Sequence, residues 1–389
     1  MSKVAEKIIS KRLRHNLQQH HIPRNEQCGF RPHHSSTTQL MRHVEQITRG
    51  FNEKRATVGF YLDIRQAFNK VWHEGLIYKL TEANVDDTMT QLIHSYLQNR
   101  TFHVTADNET SNTHPINSGV PQGSVLSPTL FNIYINDIPH HHHHNNSSLH
   151  IFTDDTLITG QSKHPTLAAQ QVQRNITHLE EWLANWKILI NHEKCQAVLY
   201  IRRTSLLTNL PPSITTNGNP IPWSTKATYL GVTLDTKLTF AEHINTALRK
   251  AHGQLRLITP MINPSSKLPP RIKITIYKSL LRPILTYASP VWAHAAKRHI
   301  KKIQTFQNTT LYKPTGLPRY TPLTTLHHEA GVERIDDYLR SASCQFFLKC
   351  QEHTNPLIQQ LGCYNIANDK RNRPTKILPQ ALLDDLTPT

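Results

Sequence analysis

The sequence predicts an α+β unit followed by a helical one, and three observations carry that prediction. Short apolar, strand-like runs ("VGFYLD", "LHIFTDDTLITG", "CQAVLYI", "ATYLGVTLD") all fall before about residue 240. After that point the apolar residues recur at helical spacing, interrupted by Pro-rich joints at "NPSSKLPP" and "RYTPL". The chain of 389 residues is also long enough for two or three structural units with a sizeable core, and it contains no internal repeat.

Taken in order, residues 1 to about 55 read as helices around a turn at "CGFRPHHSS", with Ser35 or Ser36 placed to cap the second helix. In the first helix Val4, Ile8, Ile9 and Leu13 share one face, which predicts a core-facing helix. A mitochondrial presequence would avoid acids and favour serine, and Glu6 argues against one. "VGFYLD" is a strand ending in Asp63, and "QAFNKVWHEGLIYKL" places Phe68, Val71, Trp72, Leu76 and Leu80 at helical spacing. A helix through "MTQLIHSYL" and an alternating strand "RTFHVT" follow. "SGVPQGSVLSPTLFNIYINDI" is a Gly/Pro turn feeding an apolar helix with Leu126, Leu130, Phe131, Tyr134 and Ile138 inward. The run His140–His144 lies in a polar, low-complexity stretch that reads as an exposed loop. "LHIFTDDTLITG" is a strand pair turning at Asp154 and Asp155, and "LAAQQVQRNITHLEEWLANW" is an amphipathic helix.

Composition narrows the function. Lys and Arg total 44 against 27 Asp and Glu, a net charge of +17 spread along the chain. That excess points to a polyanionic partner, nucleic acid first among them; a basic protein with no such partner is the plainer alternative. Five cysteines without a CxxC spacing suggest a reducing compartment and buried or free thiols. Cys344, Cys350 and Cys363 lie near His353, but their irregular spacing argues against a zinc site. No apolar run is long enough to span a bilayer, so the expectation is an intracellular protein, nuclear or cytoplasmic, with no membrane partner.

Two adjacent carboxylates at a hairpin turn raise one another's pKa unless something neutralises them. A divalent cation does so, and Mg²⁺ prefers oxygen ligands. If the strand ending in Asp63 lies beside the Asp154–Asp155 hairpin, three carboxylates converge. Such a cluster suits two Mg²⁺ ions about 3.5–4 Å apart, the arrangement used for in-line phosphoryl displacement. Read singly, "DD" is a solvated turn and Asp63 a strand-end or helix-cap residue.

The order and content of these segments resemble the reverse transcriptases of non-LTR retrotransposons, most closely the jockey-like arthropod elements. "CGFRPHHSSTTQL", "YLDIRQAFNKVWHEGLIYKL", "NSGVPQGSVLSPTLFNIYINDIP", "FTDD", "WKILINHEKCQAVLY" and "YLGVTLD" follow one another as that family's segments do. "IYKSLLRPILTYASPVW" and "IQTFQNTTL" are similar to its helical region beyond the thumb. The resemblance implies a right-hand polymerase with fingers, a split βαβ palm and a helical thumb. Residues 1–235 would form partial fingers and palm, 236–310 a thumb-like helical region, and 311–389 a C-terminal helical extension. It implies RNA-directed DNA polymerase activity on an RNA template with a DNA primer and dNTPs. Asp63, Asp154 and Asp155 would be the ligands of two Mg²⁺, with Mn²⁺ a possible substitute, and the Ile64 carbonyl would assist at one ion.

By the same resemblance Phe68 is the steric gate against a 2′-hydroxyl. Pro121, Gln122 and Gly123 form the turn beside nucleotide and template, where Gly119 and Gly123 allow close backbone approach. Lys194 is the lysine that protonates or neutralises the departing pyrophosphate, and Arg31 contacts template or phosphate. For each there is a plainer reading: a core aromatic for Phe68, a helix-entry turn for "PQG", a solvated lysine for Lys194. Three departures from the family pattern stand out. Asn69 replaces an aspartate, Thr153 replaces an alanine beside the carboxylate pair, and the chain begins inside the fingers. The last predicts a truncated copy that binds primer–template but polymerises weakly. A two-metal nuclease would share the aspartates but needs neither Phe68 nor the "PQG" turn.

Overall fold

The computed structural model describes residues 2–140, 147–202, 210–363 and 374–378. Most of the His140–His144 run therefore lies outside the described residues. The chain divides into two compact units. The first comprises Met1–Gln39, Arg55–Leu199 and Arg203–Ser224; the second comprises Leu40–Lys54, Tyr200–Arg202 and Thr225–Thr389.

The first unit opens with α1 (Ser2–Gln19), which buries Leu13 and Leu17. The predicted apolar face is only partly used, because Val4 and Ile8 are exposed. Helix α2 (Ser36–Asn52), which belongs to the second unit from Leu40 onward, begins where the serines predicted, with the Ser35 hydroxyl accepting from Thr38 N at 3.2 Å. Strand β1 (Ala56–Leu62) is buried along its whole length, as its unbroken apolar run requires of a strand covered on both faces. The segment read as one helix from Ala67 is two pieces. A 3₁₀ turn (Ala67–Lys70) ends at extended Val71 and Trp72, and α3 (His73–Glu82) then begins. The break brings the Phe68 carbonyl to Val120 N and the Val71 carbonyl to Gly119 N, each at 2.8 Å, bonds that a continuous helix would have kept within itself.

Helix α4 (Asp87–Leu97) is capped by Asp86, which accepts from Met89 N. The predicted strand "RTFHVT" is instead two short, exposed ladders. In these β2 (Thr101–Phe102) pairs with β5 (His114–Pro115), and β3 (Thr105–Ala106) pairs with β4 (Glu109–Thr110). Helix α5 (Ser127–Tyr134) buries Leu130, Phe131 and Tyr134 as its spacing predicted. Strands β6 (Ser147–Phe152) and β7 (Asp155–Ser162) form the expected hairpin, and α6 (Pro165–Asn185) packs on β7 and β1. Strands β8 (Gln196–Tyr200) and β11 (Trp223–Ser224) complete a five-stranded sheet of order β11-β8-β1-β7-β6. Between them lies a small hairpin, β9 (Ile214–Thr216) and β10 (Asn219–Ile221).

The second unit contains a hairpin, β12 (Lys226–Tyr229) and β13 (Val232–Asp235), where the sequence suggested one strand. Leu230 and Gly231 both have positive φ, 44° and 78°, the pattern of a tight I′ turn built without its usual Asn-Gly signature. The rest is helical: α7 (Ala241–Ile262), α8 (Pro270–Ile276), a π turn at Tyr277–Leu281, α9 (Arg282–Thr286) and α10 (Ser289–Trp292). There follow α11 (Lys297–Thr315), α12 (Leu323–Ala330), α13 (Ile335–Gln351) and α14 (Pro356–Gln359). Phe240, Tyr277, Trp292 and Phe347 fill its core. Among the described residues no helix is long and apolar enough to cross a membrane.

Candidate active site

Strand register builds the carboxylate cluster. In the antiparallel pair β1–β7, Leu62 faces Thr156, so the next position along β1 sets Asp63 against Asp155. In β6–β7, Phe152 faces Asp155, which leaves Thr153 and Asp154 as a two-residue turn. Two segments about ninety positions apart thus deliver three carboxylates to one end of the sheet. Burial and this crowding of like charge act on Asp154 and Asp155. Burial, then Asp154, then Asp63 push Asp155 up from 3.8 to about 6. Asp154 is raised by burial and by Asp63, while backbone N–H groups at Asp154 and Asp155 oppose the rise. Asp155 is exposed by surface area although neighbouring chain partly desolvates its carboxyl, so water screens part of this repulsion without reversing its upward direction.

None of the three aspartates has an ion-pair partner among the described residues. Nor, among those residues, do three His, Cys, Asp or Glu side chains stand at metal-ligating spacing. The register brings the three carboxylates to one end of the sheet within electrostatic reach of one another, but among the described residues they do not form a closed ligand set. Their chemistry still fits a divalent cation. They are all-oxygen donors, close enough to repel one another, and among the described residues no lysine or arginine pairs with them. The cysteines near His353 form no metal group among the described residues either, and burial pushes the Cys350 thiol up to about 12.

The turn is held by residues that sequence reasoning missed. Thr153 has φ of +63°. Positive φ at the first turn position alone is the II′ pattern, which favours glycine there, and a β-branched residue pays steric strain. Gln27, 1% exposed, accepts from Gly29 N at 2.7 Å and from Thr153 N at 3.1 Å through one oxygen. Cys28 N donates to the Ile151 carbonyl, so the Gln27 segment runs as an extra edge beside β6. A Cβ on Gly29 would lie 2.4 Å from Thr153 N, which is why the "CGF" turn needs glycine there. The Gly29 carbonyl is tied in turn to α5 by Asn132 Nδ2 at 2.9 Å. Nothing in the residue types around Gln27 marks it as a brace.

On the other side of Asp63, Asn191 N donates to the Asp63 carbonyl at 2.9 Å and Arg65 N to the Leu189 carbonyl at 2.8 Å. These two bonds flank Ile64 and leave its carbonyl out of both. They also anchor the loop that carries Lys194, whose N–H donates to the Asn191 carbonyl. The Lys194 side chain is exposed. Burial pushes the neighbouring Cys195 thiol up to about 11; a hydrogen bond to the Asp63 backbone opposes that rise and the Asp63 charge adds to it.

Phe68 stacks on Phe131 at 4.6 Å and meets Phe30 edge-on at 6.2 Å, and it remains half-buried. Gln122 Nε2 donates to Asn69 Oδ1 at 3.2 Å, so the Asn69 departure acquires a partner in the "PQG" turn. Gly119 has φ of +86°, and a Cβ there would meet the Asn69 backbone at 2.7 Å. Gly123 has φ of +84° with open space around it, so conformation rather than close approach by protein requires it. Pro121 accepts from Ser127 Oγ at 2.7 Å, and a cavity of about 460 Å³ borders Asn69, Arg100, Phe102 and Gln122. Arg31 is half-buried, and its Nη1 braces the Arg24 and Gln27 carbonyls at 2.8 and 3.1 Å.

A five-stranded sheet with helix α6 packed on it and three aspartates at one end has the fold of a right-hand polymerase palm. The chain belongs to the reverse transcriptase (RNA-dependent DNA polymerase) family, whose model matches residues 1–234. It is 34% identical over 366 residues, 92% of this chain, to the RNA-directed DNA polymerase from mobile element jockey of Drosophila melanogaster. It is 32% identical over 99% of its length to the probable RNA-directed DNA polymerase from transposon X-element of the same species. It is 31% identical, again over 99%, to the jockey polymerase of Drosophila funebris. These similarities group it with the reverse transcriptases of non-LTR retrotransposons. The chain spans between 39% and 42% of the length of these relatives.

Proposed function

We propose that the chain is an RNA-directed DNA polymerase of a non-LTR retrotransposon, acting on an RNA template and DNA primer with dNTPs in the nucleus or cytoplasm. The observation that carries this reading is the register that pairs Leu62 with Thr156 and Phe152 with Asp155, so that Asp63 follows β1 at the end of the sheet where β6 and β7 turn. Reverse transcriptases as a family depend on divalent metal. Here two Mg²⁺, with Mn²⁺ a substitute, would be held by Asp63, Asp154, Asp155 and the Ile64 carbonyl, supplying Lewis-acid activation of the primer 3′-hydroxyl and charge neutralisation at pyrophosphate.

The protein's own groups do the rest. Phe68, wedged between Phe131 and Phe30, presents its ring to the sugar and excludes a 2′-hydroxyl. Gln122, steadied by Asn69, Pro121 and Gly123, packs against nucleotide and template. Lys194 donates a proton to pyrophosphate from a loop that is hydrogen-bonded to Asp63. Arg31 acts on the template side through its turn. Residues 1–235 serve as partial fingers and palm, 236–310 as a thumb-like region and 311–389 as an extension.

A second reading, a nucleic-acid-binding remnant with weak turnover, is favoured by the carboxylate spacing and by the strained Thr153. Primer extension on an RNA template with dNTPs and Mg²⁺ separates the two. The first reading expects incorporation that disappears in Asp154→Ala. Binding without incorporation across Mg²⁺ and Mn²⁺ concentrations supports the second, and strand cleavage without synthesis points to a nuclease. Phe68→Ala is expected to admit rNTPs; unchanged sugar discrimination would remove Phe68 from the gate.

A further inference from the structure

The first turn of α11 begins Lys297, Arg298, His299, with no acidic residue and no capping side chain. A helix start is already electropositive, because its N–H groups lack acceptors and the macrodipole adds about half a charge there. Acids and capping hydroxyls are the usual complement. Here the sequence adds cations to a positive end.

A cavity of about 140 Å³ lies against this turn in the second unit. Arg202, Lys237, Arg298, His294 and His299 line it, with no carboxylate among its described lining. Ligand pockets for drug-sized molecules start near ~300 Å³, so this one suits a small ion and not a nucleotide base.

His299 supplies an independent sign of a missing acceptor. It is 7% exposed, and its Nε2 lies 3.2 Å from Arg298 Nε. A guanidinium N–H can only donate, so Nε2 is the acceptor and the neutral ring carries its proton on Nδ1. That Nδ1 is buried with no hydrogen-bond partner. A buried donor left without an acceptor is costly. The Nδ1 of His294 is likewise buried and without a partner.

The surrounding charge has one sign. Burial, then Arg298 and Lys302, hold His299 below its ordinary value, with Asp235 opposing. Burial, then Lys376 and Arg202, pull His294 down to about 4. Asp235 has little left to offer, because its carboxylate already accepts from the N–H groups of Lys237, Thr239 and Phe240 and from the Thr239 hydroxyl.

We propose that this pocket binds a phosphoryl group, a tetrahedral oxyanion that accepts from His299 Nδ1–H and from the Arg298 N–H in the first turn of α11, the His299 N–H being spent on the Ala296 carbonyl, and is neutralised by Lys237 and Arg298. Inorganic phosphate and a nucleic-acid backbone phosphate present the same oxygens, and the experiment separates them. Inorganic phosphate is titrated into the full chain at constant ionic strength, with chloride as the balancing anion. The ring ¹⁵N resonances of His294 and His299 are followed, assigned with His294→Gln and His299→Gln. The expected result is a saturable shift of both Nδ1 signals and a rise in Tm with phosphate.

Lys237→Ala changes an exposed side chain outside the carboxylate site. It is expected to keep the phosphate-free Tm and weaken phosphate binding about tenfold, the loss of one charge-assisted hydrogen bond. A primer–template duplex is then added to the phosphate-saturated chain. Release of phosphate by ³¹P with the ring shifts retained assigns the site to a nucleic-acid backbone, and retention of phosphate assigns it to the free ion. No saturable shift with either probe, or equal affinity in Lys237→Ala, overturns the proposal.

Discussion

At the end of the sheet where β6 and β7 turn, three carboxylates lie within electrostatic reach of one another; at the start of α11 two imidazoles and three cationic side chains line one pocket. Both clusters concentrate one sign of charge, and both carry groups whose titration is displaced first by burial and then by neighbouring charges of that sign. They are built differently. The negative cluster is fixed by strand register, so each carboxylate is placed by backbone pairing and braced by Gln27 and Asn191. The positive cluster draws on Arg202, Lys237 and residues 294–299, segments that meet only through tertiary packing. Charge placed by register can be read along a chain, whereas charge assembled by packing cannot.

The largest expected effect falls on the negative cluster. Asp155→Asn should lower primer extension on the order of 10³-fold, the scale of losing one electrostatic stabiliser of a transition state. The same substitution should act in the opposite sense on metal-free stability. Because the folded Asp155 pKa lies above its unfolded value, its contribution is fully present below about pH 4 and is lost as pH rises through about 6. Wild type should therefore lose stability relative to Asp155→Asn across that window, as measured by urea melts in chelator. A constant difference from pH 4 to pH 8 would mean the carboxylates do not crowd one another.

A smaller effect tests whether the brace carries strain. Thr153→Gly relieves a positive φ in a β-branched residue and should stabilise the chain by about 1 kcal/mol, partly offset by the greater freedom of unfolded glycine. Destabilisation in equilibrium melts would show that the threonine side chain contributes more than its backbone costs. The smallest effect belongs to the positive cluster. Lys297→Glu places an acid at the first turn of α11 and should stabilise by about 0.3–1 kcal/mol at low salt, fading as salt is added. A salt-independent change would sever that turn from the electrostatic account.

The same contrast explains what was legible. The unbroken apolar run of β1 ending before Asp63, the hairpin around the aspartate pair and the apolar stripe of α5 are local patterns that formed, although the turn falls one residue early, at Thr153 and Asp154, with Asp155 opening β7. "ATYLGVTLD" looked like one strand because Leu-Gly is a poor turn signal, yet Leu230 and Gly231 both adopt positive φ. "QAFNKVWHEGL" kept helical spacing through Val71 and Trp72, but the Phe68 and Val71 carbonyls are spent on Val120 and Gly119. Gln27 and the Asn69–Gln122 bond join positions far apart in sequence, and no local rule marks either. Val4 and Ile8 match a buried face by period, yet burial on α1 begins near Ser10 and continues through Leu13 and Leu17.

The central claim is that three aspartates crowd one another until a divalent cation neutralises them. Selective ¹³C labelling of aspartate carboxylates, with Asp155 assigned by its Asn variant, measures this directly. Titrated in chelator, Asp155 should show a midpoint near pH 6, moving below its ordinary carboxylate range once Mg²⁺ is added. A midpoint near 4 in chelator, or one that Mg²⁺ leaves unmoved, would contradict it.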